Sequence, residues 1–173
     1  MDAPHDVIHL HPMRVMQPLS VEEIERAPFQ HWISRRLSAT PEAIFAAWAD
    51  PSGWPSWFPL MQEAAWTSPL TAAVGAEREV ALLGLGRFRE RMLVWQPGQR
   101  LTFTMSGSTS PIALQMAEDH VLTRNADGST QLDYRVAIVP TLLGRLVSPF
   151  VRVIFSQLIS QAARNLDRKL AAS

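Results

Sequence analysis

Strand alternation sets four polar side chains among apolar neighbours: Glu90, Glu118, His120 and Tyr134. Phe88, Glu90, Met92 and Val94 share one strand face. Leu114, Met116, Glu118, His120 and Leu122 share a second, and Leu132, Tyr134, Val136 and Ile138 a third. An imidazole beside a carboxylate titrates near neutrality and can move a proton in an aldol or dehydration step. A carboxyl set in an apolar wall has its pKa raised. The Tyr134 phenol can hold a carbonyl oxygen. Arg35 joins the set from an earlier strand, where it shares a face with Ile33 and Leu37. The bland alternative is that Glu90 or Glu118 pairs with Arg35 while His120 sits at a solvated rim. A one-residue bulge would turn part of such a face outward.

The elements that must position these groups can be read along the chain. Residues 1–27 form an appendage, in which Ser20 and Glu23 have capping-box spacing for a short helix over Val21–Ala27. The domain proper is residues 28–173. A first strand is expected at His31–Ala39, then a helix capped by Thr40 with Pro41 at its first position. Ile44, Phe45 and Trp48 give that helix an apolar stripe, and Asp50–Gly53 stops it. Strands follow at Glu63–Ser68, Ala76–Leu83, Gly86–Gln96, Gln99–Ser106, Ile112–Arg124 and Thr130–Val139. The last two flank Asn125–Gly128, a hairpin signal. Thr141–Ala171 is helical, with Pro149 giving a kink or break. Leu146, Phe150, Ile154, Leu158, Ala162 and Leu166 are assigned to its inward face. Consecutive antiparallel strands with helices on one side make an α+β fold. A curved sheet around one long helix leaves a cavity.

Ligand contacts are expected from Phe88, Met92, Phe103, Met105 and Met116 on the strands, beside the five polar groups. Phe150, Ile154 and Leu158 would add the helix side, and Trp57 and Phe58 a lid or plug. The methionines would also serve as ordinary core. Arg87, Arg89 and Arg91 fall on the opposite face and are expected to pair with Glu77 and Glu79 across strands.

Composition removes other functions. The 173 residues carry zero formal net charge, so no basic footprint points to nucleic acid. There is no cysteine, which excludes disulfides and thiolate metal sites. His5, His9 and His11 lack zinc-ligand spacing, so no metal site is expected. Gly84-Leu85-Gly86 is a turn rather than a phosphate loop. The apolar window Leu142–Ile159 carries Arg145 and Arg152 and is expected to pack on the sheet, without stable membrane insertion. The N-terminus lacks a signal pattern, and a cytoplasmic protein is expected.

The stretch LSATPEAIF, Leu37–Phe45, followed by Ala47-Trp48-Ala49-Asp50-Pro51 and Trp57, resembles the opening of the START-like, or SRPBCC, superfamily. Its polyketide cyclase/dehydrase and lipid-transport group is the best likeness. Asp127–Thr130 before Leu132-Asp133-Tyr134 resembles that group's last hairpin. The likeness covers about residues 29–171. It implies a helix-grip fold: a seven-stranded antiparallel sheet around a long C-terminal helix, with two short helices after the first strand. It also implies a hydrophobic cavity, and it carries no family-wide catalytic residue.

Three functions follow as expectations. The first is a binder of a lipid, isoprenoid or polyketide-like molecule, acting without a cofactor as a monomer or homodimer. The second is an aromatase/cyclase or dehydratase using His120, Glu118, Glu90 and Tyr134. The third is a protein-interaction accessory module.

Overall fold

A computed structural model describes residues 12–172. Strand β1 (Arg14–Val15) and helix α1 (Val21–Ile24) precede β2 (Phe29–Leu37), α2 (Pro41–Ala49) and a 3-10 helix at Pro51–Ser56. Then come β3 (Met61–Trp66), β4 (Glu77–Leu82), β5 (Gly86–Gln96), β6 (Arg100–Ser108), β7 (Ala113–Arg124), β8 (Thr130–Pro140) and α3 (Leu142–Ala171). The main sheet runs β2-β8-β7-β6-β5-β4-β3, antiparallel throughout, and β1 adds to β6 off that path. α3 lies across the concave face. This is the helix-grip architecture.

Local chemistry explains the punctuation. The Thr40 hydroxyl accepts from the Ala43 amide at 3.3 Å and Pro41 opens α2. Gly128 takes a φ of 86° in the β7–β8 turn, where a side chain would be strained. α3 runs through Pro149 without a break. Proline offers no N–H to the carbonyl of Arg145 four residues back, and the Ser148 hydroxyl donates to it instead at 3.0 Å.

Residues 12–27 strap across the convex face. Leu19, Ile24 and Ala27 bury against Ala117 and Ala137, whose small side chains make room. α1 stops at Ile24 rather than reaching Ala27. Beside it, Asp119 accepts from Arg100 at 2.8 Å, Thr102 at 2.7 Å and Arg135 at 3.0 Å. Burial works to raise the Asp119 pKa, but these donors outweigh it and hold the carboxyl below its usual range. Arg89–Glu79 at 2.6 Å and Arg91–Glu77 at 2.7 Å are cross-strand pairs, as alternation predicts.

Two inward assignments change. A bulge between Ala113 and Gln115 turns Leu114 to solvent and brings Ala113 inside. The stripe on α3 also differs. Steps of four residues advance by about 40° each, so a run of six drifts around the helix. The face turned to the sheet is Val151, Phe155, Leu158, Ile159, Ala162, Ala163 and Leu166. Leu146, Phe150 and Ile154 are exposed, Phe150 at 72%. The first half of α3 therefore does not pack on the sheet as expected.

Candidate functional site: a cavity with one polar end

Sheet and helix enclose a cavity of about 310 Å³. Its wall is almost entirely apolar: Phe88, Phe103, Met105 and Met116 from the strands, Phe155, Leu158 and Ala162 from α3, and Trp48 from α2. Trp54, Trp57 and Phe58 close one side, with the Trp54 and Phe58 rings stacked at 6.0 Å. The Asn165 side-chain amide donates to the Trp57 carbonyl at 2.9 Å and ties that closure to α3. Of the lining residues Gly84 and Pro111 are exposed, and Leu82, Leu85, Ile112, Val151 and Phe155 near them are half-buried, as are Phe58, Glu118 and His120, so the wall is most open where the β4–β5 turn and the loop before β7 reach solvent.

Glu90, Glu118, His120 and Tyr134 all line this one cavity. They lie on three strands whose register brings them together: Tyr134 is opposite His120, and Glu118 opposite Phe103. The His120 ring meets the edges or faces of Tyr134 at 4.4 Å, Trp48 at 5.1 Å and Phe103 at 5.5 Å. Its Nε2 is 3.4 Å from Glu118 Oε2, and both side chains are 12% exposed. His120 is thus held inside an aromatic collar and not at a solvated rim. The Tyr134 hydroxyl is buried and makes no hydrogen bond of good geometry, with the Glu118 carboxylate close enough to act on it. Burial, then the nearby Glu118 and Glu90 carboxylates, push its pKa well above the usual phenol value.

Glu90 is anchored by a residue that the inward-face argument did not include. Arg78 of β4 is fully buried, and its Nε donates to Glu90 Oε2 at 2.7 Å. It also donates to the Trp48 carbonyl at 3.3 Å and lies 4.0 Å over the Trp54 ring. Burial raises the Glu90 pKa to about 7; Arg78 pulls it down and Glu118 pushes it up. The signal for Arg78 was present: if Glu77 and Glu79 face outward, Arg78 and Val80 between and beside them must face inward.

Other expected contacts lie elsewhere. Arg35 sits on edge strand β2, where its guanidinium runs past α3 to the Ser160 hydroxyl at 3.0 Å and into solvent. It pairs with neither glutamate. Met92 is buried in the core next to a bulge and does not line the cavity. Phe150 and Ile154 are on the outer face of α3. Trp57, Phe58, Phe88, Phe103, Met105, Met116 and Leu158 do line the cavity, joined by Trp48, Trp54 and Phe155. Among the described residues no group of three or more His, Cys, Asp or Glu side chains is arranged to hold a metal. His5, His9 and His11 lie outside the described residues.

The profile of the polyketide cyclase / dehydrase and lipid transport family matches residues 33–171. The chain belongs to this family. An uncharacterised protein of Mycobacterium tuberculosis is 28% identical over 155 residues, 84% of each chain. Among solved structures, a START superfamily protein from Mycobacterium smegmatis superposes with a TM-score of 0.68 at 12% identity, covering 83% of this chain and 97% of that one. An aromatase/cyclase from a Streptomyces species gives 0.65 at 11% identity, covering 83% and 93%. At these identities the likeness is one of fold.

Proposed function

We propose that this protein binds a hydrophobic small molecule of lipid, isoprenoid or polyketide type inside the cavity, as a cytoplasmic carrier or sequestering protein. The carrying observation is an apolar cavity of about 310 Å³ with its polar atoms gathered at one place. Ligand sites begin near this size, at about 300 Å³, and combine an apolar lining with a few convergent polar groups. The tail of such a ligand lies along Phe88, Met105, Met116, Phe155 and Leu158. Its polar end meets Tyr134, whose hydroxyl donates to a ligand oxygen, with Glu118 and His120 alongside. Native mass spectrometry of protein purified from its own host tests this, and bound apolar mass at one copy per chain is the expected result. A ligand-free protein that also takes up no apolar dye would refute it.

A second reading is favoured by the 3.4 Å approach of His120 to Glu118. A neutral imidazole there can take a proton from a carbon beside a ketone. Glu90, titrating near neutrality, can return one to a departing hydroxyl, and Tyr134 can hold the ketone oxygen. This is the acid/base set an aromatase/cyclase or dehydratase needs. Turnover of a synthetic polyketide mimic separates the two readings. His120→Ala would abolish turnover in an enzyme, whereas a carrier turns over the mimic with neither protein.

A further inference from the structure

The first half of α3 carries an apolar face with none of the other described residues packed over it. Leu142, Leu143, Leu146, Phe150, Val153 and Ile154 are all exposed, Leu142 at 81% and Leu146 at 78%. At about 100° per residue the six fall within roughly 120° of arc, a single stripe. The residues that face the cavity, such as Val151 and Phe155, lie on the other side of the helix. Contiguous exposed apolar surface of this kind marks an interaction site.

The charges beside the stripe indicate what it meets. Arg145 and Arg152, two turns apart, lie together on one flank of it. The Arg145 guanidinium has no hydrogen-bond or ion-pair partner among the described residues. Arg152 is steadied at the flank, 5.0 Å over the Phe29 ring. No acidic residue occurs in α3 before Asp167. A helix that is apolar on one face and purely basic beside it is built for an anionic lipid surface, with its stripe at the acyl boundary and its arginines among the headgroups. By length and composition α3 is the one helix among the described residues able to cross a bilayer. Its turns from Leu158 to Leu166 are buried in the core, so α3 lies on the surface rather than across it.

We infer that the Leu142–Ile154 face of α3 is a peripheral docking surface for anionic membranes. Val151 and Phe155, half-buried on the cavity rim, belong to the same half-helix, so docking would bring that part of the rim near the lipid boundary. The inference stands apart from the ligand reading: an empty cavity would leave it untouched.

Flotation of the full-length protein with phosphatidylcholine vesicles, with and without phosphatidylglycerol, tests it. The expected result is flotation with the anionic vesicles only, weakened by salt. Leu146→Ser/Phe150→Ser should abolish flotation with an unchanged circular dichroism spectrum, since both side chains are exposed. Arg145→Gln and Arg152→Gln should each weaken binding about five-fold. Protein that stays in solution with anionic vesicles overturns the inference. So does a stable dimer that the Leu146/Phe150 variant converts to monomer, because the stripe would then belong to a second copy of the chain.

Discussion

Arg78→Met should destabilise the protein in a pH-dependent way. Arg78 is fully buried and Glu90 nearly so, at 3% exposure, with 2.7 Å between them. Removing one member of a buried pair while the other stays charged costs about 3–5 kcal/mol. In the native protein Glu90 titrates at about 7, against 4.5 for an ordinary glutamate. The folded state thus holds the proton more tightly, and stability is lost as pH rises between those two values. The loss reaches about 3 kcal/mol by the upper end. Without Arg78 the folded pKa climbs further and the loss continues into alkaline pH. At about pH 5.5 Glu90 is neutral in both proteins, and Arg78→Met removes the hydrogen bonds to Glu90 and the Trp48 carbonyl and a ring contact but also relieves a buried cation, a net loss of about 1–2 kcal/mol. At about pH 8.5 the full 3–5 kcal/mol applies. Urea unfolding followed by tryptophan fluorescence at the two pH values measures this. Arg78→Met/Glu90→Leu should recover most of the alkaline loss, because no uncompensated charge remains. A difference under about 0.5 kcal/mol between the two pH values, or strict additivity in the double variant, would refute the argument.

Tyr134→Phe should leave the unliganded protein as stable or slightly more so, since it deletes a buried hydroxyl that makes no hydrogen bond of good geometry. The same change should weaken a bound ligand about five- to ten-fold by dye displacement, and unchanged affinity would remove Tyr134 from the anchor. Ala162→Leu places added volume in the cavity; apolar dye uptake should fall while the melting temperature holds or rises, and unaltered uptake would locate the dye elsewhere. Gly144→Ala should destabilise despite alanine's helix propensity. A Cβ there would stand 1.9 Å from the Ile112 carbonyl oxygen, where α3 begins against the β6–β7 loop. An increase in melting temperature would show that the helix start shifts freely.

Turn residues, caps and alternation made most of the architecture legible. Thr40-Pro41, Asp50-Pro51 and Asn125–Gly128 punctuate the chain where the elements do stop and start. Period-two alternation put Glu90, Glu118, His120 and Tyr134 on inner faces because a strand has only two sides. Three kinds of fact lay outside that reach. A bulge consumes one residue and reverses the faces, so Leu114 points out and Ala113 in. An edge strand lets a long side chain escape, so Arg35 runs past α3 at Ser160 to solvent instead of entering the cavity. Which cation serves Glu90 depends on the distance between β4 and β5, which only pairing sets, and the answer is Arg78.

The long helix divides most clearly between sequence and tertiary structure. Its existence and length follow from local composition, and the structure shows Thr141 as its cap rather than its first residue. Its contact face does not, because Val147, Val151 and Phe155 extend the apolar arc beyond the Leu142–Ile154 stripe, and local sequence does not say which part of that arc the sheet takes. Packing on the sheet selects Val151, Phe155, Leu158 and Ala162 for the cavity. The Leu142–Ile154 stripe is left uncovered because the sheet can bury only one side of a helix.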